Sequence, residues 1–307
     1  MELPGVPEAD AARIRSVPSL AGAVDVVALE GGITNRNYRV SLPGGPAVVR
    51  LSDPGSSALA IDRRCEYLNS VAAARSGAAP DVLDYVEGAG VLVVRWVDGR
   101  TFGDADVAEP ANTSRIAGAC RRLHAGPPFA NSFDMFDIQR RYLGLVESKG
   151  FRLPARYREF AEKVARLRSA MGARPEALVP CNNDLLAANM IDDGERLWLI
   201  DYEYSGMNEA SFELGNIWSE AALEDEALTG LVEAYWGRAD AALVARARLW
   251  ALMSKYGWTL WASIQDATSP LDFDYWSWGM EKYERAVAEF DGPRFEGWLA
   301  AVAAPTA

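Results

Sequence analysis

The densest concentration of reactive side chains lies at residues 181–204, CNNDLLAANMIDDGERLWLIDYEY. Asp184 and Asn189 stand five apart with a loop between them, and Asp201 follows twelve residues later behind an apolar strand. Phosphoryl transfer needs such parts: an acid to orient the attacking hydroxyl, and hard oxygen ligands for Mg2+ beside the phosphates. Asp184 suits the first task, and Asn189 and Asp201 the second. A plain Asn/Asp turn followed by an unrelated strand-end aspartate fits the same letters, so spacing alone leaves the two readings level. A second concentration is aromatic. Of ten tryptophans, five lie between 250 and 278. Trp258 and Trp261 are three apart, which places them on one helical face. Ring faces attract protonated or quaternary amines, although core packing is the plainer role for any single tryptophan.

Elements able to position these groups can be read along the chain. Val24–Leu29 is apolar and β-branched, Glu30–Asn35 is a glycine turn, and Asn37–Leu42 alternates like a strand. Pro43-Gly44-Gly45-Pro46 breaks that strand, and Ala47–Leu51 resumes it as the second arm of a hairpin. Ile61, Cys65, Leu68 and Ala72 recur at helical spacing and predict a helix over Ile61–Arg75. Gly90–Val97 is a nearly continuous apolar strand, ended by Asp98-Gly99. Beyond residue 100 the pattern turns helical. Ile116, Ala119, Cys120 and Leu123 share one face, and Tyr157, Phe160, Ala161, Val164 and Leu167 share another, with Pro154 at a first-turn position. Short strands at Leu178–Pro180 and Leu197–Ile200 interrupt. Helices then run to the end, one bearing Leu228, Leu231, Val232 and Tyr235. The shift near residue 98 predicts a β-rich lobe over 1–97, a larger helical lobe over 98–307, and a ligand cleft between them.

Composition narrows the function classes. A formal net charge of −12 argues against wrapping a nucleic-acid backbone and suits a cationic small ligand, though solubility alone also explains it. The one histidine, His124, rules out a multi-histidine metal site, and a Ser–His–Asp triad would have to use it. Cys65, Cys120 and Cys181 form no CxxC pair, so reduced thiols are expected. The first residues lack the apolar run of a signal peptide, and no stretch reaches the roughly 18 apolar residues of a membrane span, so a cytoplasmic location without membrane contact is expected. No motif sets the oligomeric state, and a homodimer is left open.

Asp184-x4-Asn189 followed by Ile200-Asp201-Tyr202-Glu203-Tyr204 resembles the catalytic and metal-binding loops of choline/ethanolamine kinases, relatives of aminoglycoside phosphotransferases and protein kinases. The resemblance covers most of the chain. Glu30–Tyr38, with Gly31, Gly32, Thr34 and Asn35, looks like the loop covering the nucleotide. Val48-Val49-Arg50-Leu51 resembles the strand carrying the cation that grips the phosphates, and Ile61–Glu66 the helix whose glutamate, Glu66, pairs with it. Phe212-Glu213-Leu214-Gly215-Asn216 looks like a helix of the C-terminal lobe. Trp258 and Trp261 with Asp272–Tyr275 are similar to the family's choline-binding segment, where two tryptophans and a tyrosine, here Tyr275, enclose the ammonium, and Glu220 matches an acid near that pocket.

The resemblance implies an α+β, bilobal protein-kinase-like fold. It implies ATP and Mg2+ as cofactors, Asp184 as the catalytic acid–base, Asn189 and Asp201 as metal ligands, and a small amino-alcohol as acceptor. Two departures stand out. The family's His-Asn-Asp reads Asn182-Asn183-Asp184 here, and a lysine common at the phosphate grip is Arg50, which keeps the charge and adds a fork. If the family histidine only supports the loop, Asn182→His is expected to preserve or raise activity. Two other readings stay open: a kinase for an aminoglycoside or other sugar alcohol, and a catalytically impaired amine binder, which Asn182 motivates.

Overall fold

The computed structural model describes residues 6–29, 35–52, 59 and 61–304. The loop positions Gly31, Gly32 and Thr34 lie outside the described residues.

The first hundred residues build one antiparallel sheet. Helix α1 (Glu8–Arg15) precedes strands β1 (Val24–Leu29), β2 (Asn35–Ser41) and β3 (Ala47–Ser52), then helix α2 (Arg63–Ser76) and strands β4 (Val82–Val86) and β5 (Val91–Arg95). The sheet order is β1-β2-β3-β5-β4. Alternation in β2 sends Tyr38 and Val40 inward, where they meet Val49, Leu51, Val91, Val93 and Ile14 of α1. The Arg13 guanidinium ties α1 to the sheet, donating to the carbonyls of Ser52, Ala89 and Gly90 at 2.7–2.9 Å. Gly90 turns the chain into β5 at φ +59°, and a Cβ there would sit 3.2 Å from the Ser52 carbonyl, so glycine is required.

Helix α2 departs from its predicted face. Asp62 caps it by accepting from the Arg64 and Cys65 amides, and Gly77 closes it in the left-handed region. Its buried positions are Glu66, Asn69, Ser70, Ala72 and Ala73, whereas Leu68 of the expected apolar stripe is exposed. The reason is what the helix faces. Asn69 donates to Asn131 and Ser205, and its carbonyl oxygen accepts from the Ala130 amide. Glu66, Asn69 and Ser70 face the polar loops of the second half, while Ala72 and Ala73 join an apolar cluster and Tyr67 stacks on Tyr85 of β4.

The second half begins with β6 (Arg100–Thr101), α3 (Asp104–Ala108), α4 (Pro110–His124), α5 (Met135–Lys149) and α6 (Ala161–Ala173). The turn after Pro154 is a separate 3-10 segment, Tyr157–Phe160, so α6 starts later than the proline suggested. Strands β7 (Leu178–Cys181), β8 (Met190–Asp192), β9 (Leu197–Leu199) and β10 (Gly206–Glu209) follow. The chain ends in α7 (Ala210–Glu220), α8 (Asp225–Trp236), α9 (Ala241–Thr268), α10 (Tyr275–Phe290) and α11 (Phe295–Ala303). Among the described residues β10 pairs with β7 and makes one parallel bridge to Ser132, and β6, β8 and β9 form a third small sheet, so no sheet continues from the first half into the second. This is the bilobal, protein-kinase-like α+β architecture. Helix α9 is the axis of the helical half, capped by the Asp240 side chain and packed against α5, α7, α10 and α11. Gly215 of α7 permits the closest crossing, because a Cβ there would lie 2.1 Å from the Ala247 carbonyl of α9. Among the described residues no helix is long and apolar enough to cross a membrane.

Candidate active site

The local fold explains the spacing of the three polar motif residues. Gly206 of β10 pairs with Cys181 of β7, which lays residues 182–184 against 201–205. A 3-10 turn, Ala187–Asn189, then leads into the β8–β9 hairpin, which brings the chain back so that the Ile200 amide donates to the Asn189 carbonyl at 3.0 Å. The eleven residues between Asn189 and Asp201 are therefore a return trip, and both side chains end in one wall.

Two residues here carry a left-handed backbone, Asn183 (φ +68°) and Asp201 (φ +64°). Such positions cost about 1–3 kcal/mol and persist only where neighbours fix them. The buried Asn183 amide donates to the Tyr204 carbonyl and accepts from Asn208, while its backbone amide donates to Glu213. Buried Asn182 spans both loops. Its Nδ2 donates to the Ile200 and Asp201 carbonyls at 3.1 and 2.8 Å, and its Oδ1 accepts from the Asp184 amide at 3.1 Å. The residue that breaks the expected motif thus carries the link between the two functional loops. Its fit also revises the sequence expectation. A neutral imidazole is larger and offers one donor and one acceptor, so it leaves one of those carbonyls unpaired in a fully buried site. Asn182→His is expected to lower kcat several-fold and to cost roughly 1–3 kcal/mol of stability; a melting curve and turnover measured side by side check this, and unchanged values would show that the loop adapts.

Asn189 donates from Nδ2 to the Asp184 carbonyl at 2.8 Å, which fixes the amide and turns Oδ1 away from that bond. Asp201 accepts from Arg50 Nη2 through Oδ1 at 2.6 Å, leaving its second oxygen. Two hard oxygens on adjoining loops fit Mg2+, which typically takes one or two protein ligands and completes its shell with phosphates and water. Arg50 reaches Glu66 through Nη1 at 3.0 Å and Glu203 at 3.5 Å. Burial works against its charge, but Asp201, Glu66 and Glu203 more than offset this and hold the guanidinium above its usual range. Arg63 backs the same acids, meeting Glu66 at 2.7 Å and Glu203 at 3.0 Å. Asn35 donates to Glu203 at 2.9 Å.

Two clefts meet at this cluster. One runs beneath the sheet, lined by Val48, Val94, Trp96, Val97 and Ile200 among others. The other is lined by Asp184, Tyr204, Glu220, Trp258, Trp261 and Trp278. Asn37, Arg50, Ala188, Asn189 and Asp201 belong to both. Within the second cleft Asp184 accepts no hydrogen bond at its carboxyl from the described residues. Burial raises its pKa well above the ordinary carboxylate value, Glu220, Asp201 and Glu203 add to the rise, and Lys282 opposes it.

The family model described as Choline/ethanolamine kinase matches residues 26–233. The chain belongs to the choline/ethanolamine kinase family. Protein LicA of Haemophilus influenzae is 30% identical over 212 residues, 67% of this chain and 61% of that protein. Ethanolamine kinase 2 of Mus musculus is 27% identical over 257 residues, 74% of this chain and 66% of the mouse protein. The chain thus spans somewhat under two thirds of the length of these two curated relatives. A choline/ethanolamine kinase family protein of Mesorhizobium loti superposes with a TM-score of 0.83 at 31% identity, covering 96% of this chain and 98% of that one.

Set against the family pattern, the structure brings Arg50, Glu66, Asp184, Asn189 and Asp201 to one place and puts Glu220, Trp258 and Trp261 in the wall beside them. Tyr275 is not in that wall. It is buried behind Trp261, edge-on at 5.8 Å, with its hydroxyl 3.0 Å from Ser269 Oγ. Trp278, one helical turn further along α10, takes its place. Asp274 caps α10, so Tyr275 is its first residue and faces the core while the fourth turns to the cleft. Sequence reasoning also missed Glu203, Arg63, Tyr204 and Lys282. Tyr204 accepts from Trp261 Nε1 at 2.7 Å and sets that ring's angle. Glu203 and Tyr204 stood inside the Ile200–Tyr204 motif; Lys282 carried no signal short of the helical register of α10.

Proposed function

We propose that this protein is an ATP- and Mg2+-dependent phosphotransferase that moves the γ-phosphoryl group onto the hydroxyl of a small amino-alcohol such as choline or ethanolamine. The observation that carries this reading is the shared wall: among the described residues, a largely apolar cleft under the sheet and an aromatic, acidic cleft in the helical half adjoin through Asn37, Arg50, Ala188, Asn189 and Asp201. A nucleotide base against Val94–Val97 would deliver its phosphates to that cluster, between the lobes 1–97 and 98–307, and an acceptor in the aromatic cleft would present its hydroxyl to Asp184. Family membership supports the same reading.

Each side chain then has a task. Asp184 orients the hydroxyl and takes its proton as the new O–P bond forms and the bond to the ADP oxygen breaks. Asn189 and Asp201 would hold Mg2+, whose contribution is to neutralise charge on the phosphate oxygens. Arg50 orients Asp201 and faces the phosphates. The site suits a cytoplasmic enzyme, where ATP and Mg2+ are at hand. Three tryptophans and Tyr204 favour a short amine over the polycationic sugar of an aminoglycoside, and the bonds of Asn182 favour a working loop over an impaired one.

The test is an ADP-release assay with Mg2+ and ATP across amino-alcohols, sugars and aminoglycosides. Turnover with short amino-alcohols is the expected result. Turnover confined to aminoglycosides would reassign the acceptor, and no Mg2+-dependent turnover with any acceptor would leave only a binder.

The aromatic wall makes a separate prediction. Trp258 and Trp261 are each 4% exposed and belong both to the helical core and to the cleft wall. Trp258→Leu or Trp261→Leu is expected to raise the acceptor KM at least several-fold, since a desolvated cation over a ring gains about 2 kcal/mol, while the KM for ATP hardly moves. Steady-state kinetics in both substrates decide it; an unchanged acceptor KM in both variants would make these residues core alone.

A further inference from the structure

Glu220 is the last residue of α7, and its position against α10 gives it one side-chain partner among the described residues: Lys282 Nζ lies 2.5 Å from Oε2, with each side chain only 7% exposed. The carboxylate is thereby fixed by one oxygen. The other, Oε1, is buried and has no hydrogen-bond partner among the described residues, although the residue lines the acceptor cleft. An unpaired buried carboxylate oxygen is costly, and a donor carried by the occupant removes that cost. The same lysine sits over Trp278, with Nζ 4.2 Å from the ring centroid. One face of one aromatic wall therefore already holds a cation of the protein's own, and that cation also offsets the charge of Glu220.

We propose that Lys282 is a specificity-determining residue that sets this cleft for an amino-alcohol whose ammonium still carries an N–H, and against a fully quaternised one. The inference rests on the kinase reading and deepens it by choosing among acceptors that an aromatic pocket alone would accept equally. A trimethylammonium group has only its charge and its fit to ring faces to offer. Lys282 weakens both attractions. A primary, secondary or tertiary ammonium loses the same charge attraction but keeps a directional bond to Glu220 Oε1. Sites built to hydrogen-bond a group reject analogues lacking it far more strongly than apolar pockets reject a methyl. Lys282 itself touches neither reacting atom; it acts through Glu220 and Trp278.

The test is kcat/KM at saturating Mg2+-ATP for ethanolamine, N-methylethanolamine, N,N-dimethylethanolamine and choline, with wild type, Lys282→Met and Lys282→Arg. In the wild type the step from N,N-dimethylethanolamine to choline is expected to be about tenfold or more, larger than either earlier step. Lys282→Met should shrink that step to about threefold or less by raising choline use, because the Glu220 charge and the Trp278 face are released. Lys282→Arg should keep the step, with the KM for ATP as the check that each variant is folded. Wild-type use of choline equal to that of N,N-dimethylethanolamine overturns the inference and leaves the kinase reading standing. A large step that survives Lys282→Met overturns the role of Lys282. Absence of turnover with all four acceptors, each offered with Mg2+-ATP, overturns the amino-alcohol reading on which the inference rests. If Lys282→Met does not fold, Lys282→Gln takes its place with the same expected narrowing of the step.

Discussion

Asp184→Ala is expected to lower kcat by about a hundredfold or more, the usual loss for a positioned base, while ATP affinity stays close to wild type. The structure makes the variant informative. Asp184 accepts Asn189 and Leu186 through its backbone carbonyl, and donates its backbone amide to Asn182, so alanine keeps every bond that shapes the loop. Only the free carboxyl is lost. Asp201→Ala should differ, because it removes a proposed Mg2+ ligand and a partner of Arg50, and so weakens nucleotide binding. The pH dependence adds a second check. A base works ionised, and burial with neighbouring acids raises the Asp184 pKa. Activity is therefore present above that raised value and lost as pH falls through it, with a limb at higher pH than an ordinary carboxylate gives. Glu220→Gln removes the largest charge contribution to the rise, so the limb should move to lower pH. Stability runs the other way: a raised pKa means that the ionised form opposes folding above the ordinary carboxylate value. Asp184→Asn should then melt no lower than wild type at neutral pH while being nearly inactive. Turnover retained by both variants would remove Asp184 from the mechanism.

What the sequence made legible follows from how narrowly each role restricts residue type. A metal ligand must be a hard oxygen and a phosphate grip must be a cation, so residue type and spacing offered Asp184, Asn189 and Asp201 as candidates level with a plain turn, the resemblance to choline/ethanolamine kinases raised them and added Arg50 and Glu66, and the structure brings the five together. Orientation was the weaker inference. The α2 stripe through Leu68 assumed that a buried face is apolar, yet this helix buries Glu66, Asn69 and Ser70 because it faces polar loops. Tyr275 and Trp278 differ by one helical turn, and the rotation of α10 about α9 decides which of them reaches the cleft. Lys282 was invisible for the same reason: a lysine in an amphipathic helix reads as solvated until α7 places Glu220 against it. Gly31, Gly32 and Thr34 lie outside the described residues, and the nucleotide-covering role assigned to them remains part of the proposal.

Arg50→Met is expected to damage both folding and catalysis, because Arg50 sits at the point where three acids converge. Glu66 and Glu203 are almost fully buried, and Asp201 is about two thirds so. Removing one partner of a buried ion pair commonly costs 3–5 kcal/mol, since the remaining charge is stranded. Here Arg63 still serves Glu66 and Glu203, and the side chain of Asp201 is 30% exposed, so about 3 kcal/mol is the fitting figure. For a chain of this size that corresponds to a fall in Tm of roughly 5 °C. The sign of its pH dependence is fixed. Without Arg50 the stranded carboxylates take up protons more readily in the folded than in the unfolded chain, so the deficit is largest at neutral pH and narrows as pH falls. Arg50→Lys keeps one charge but not the fork that reaches Glu66 with one nitrogen and Asp201 with the other. It should recover part of the stability, and the KM for ATP should stay raised. Melting curves from neutral to mildly acidic pH, together with ATP kinetics at neutral pH, test both halves. An Arg50→Met variant that melts with the wild type across that range would mean that the acids pair elsewhere, and one that keeps normal ATP kinetics would mean that the phosphates are gripped by another residue.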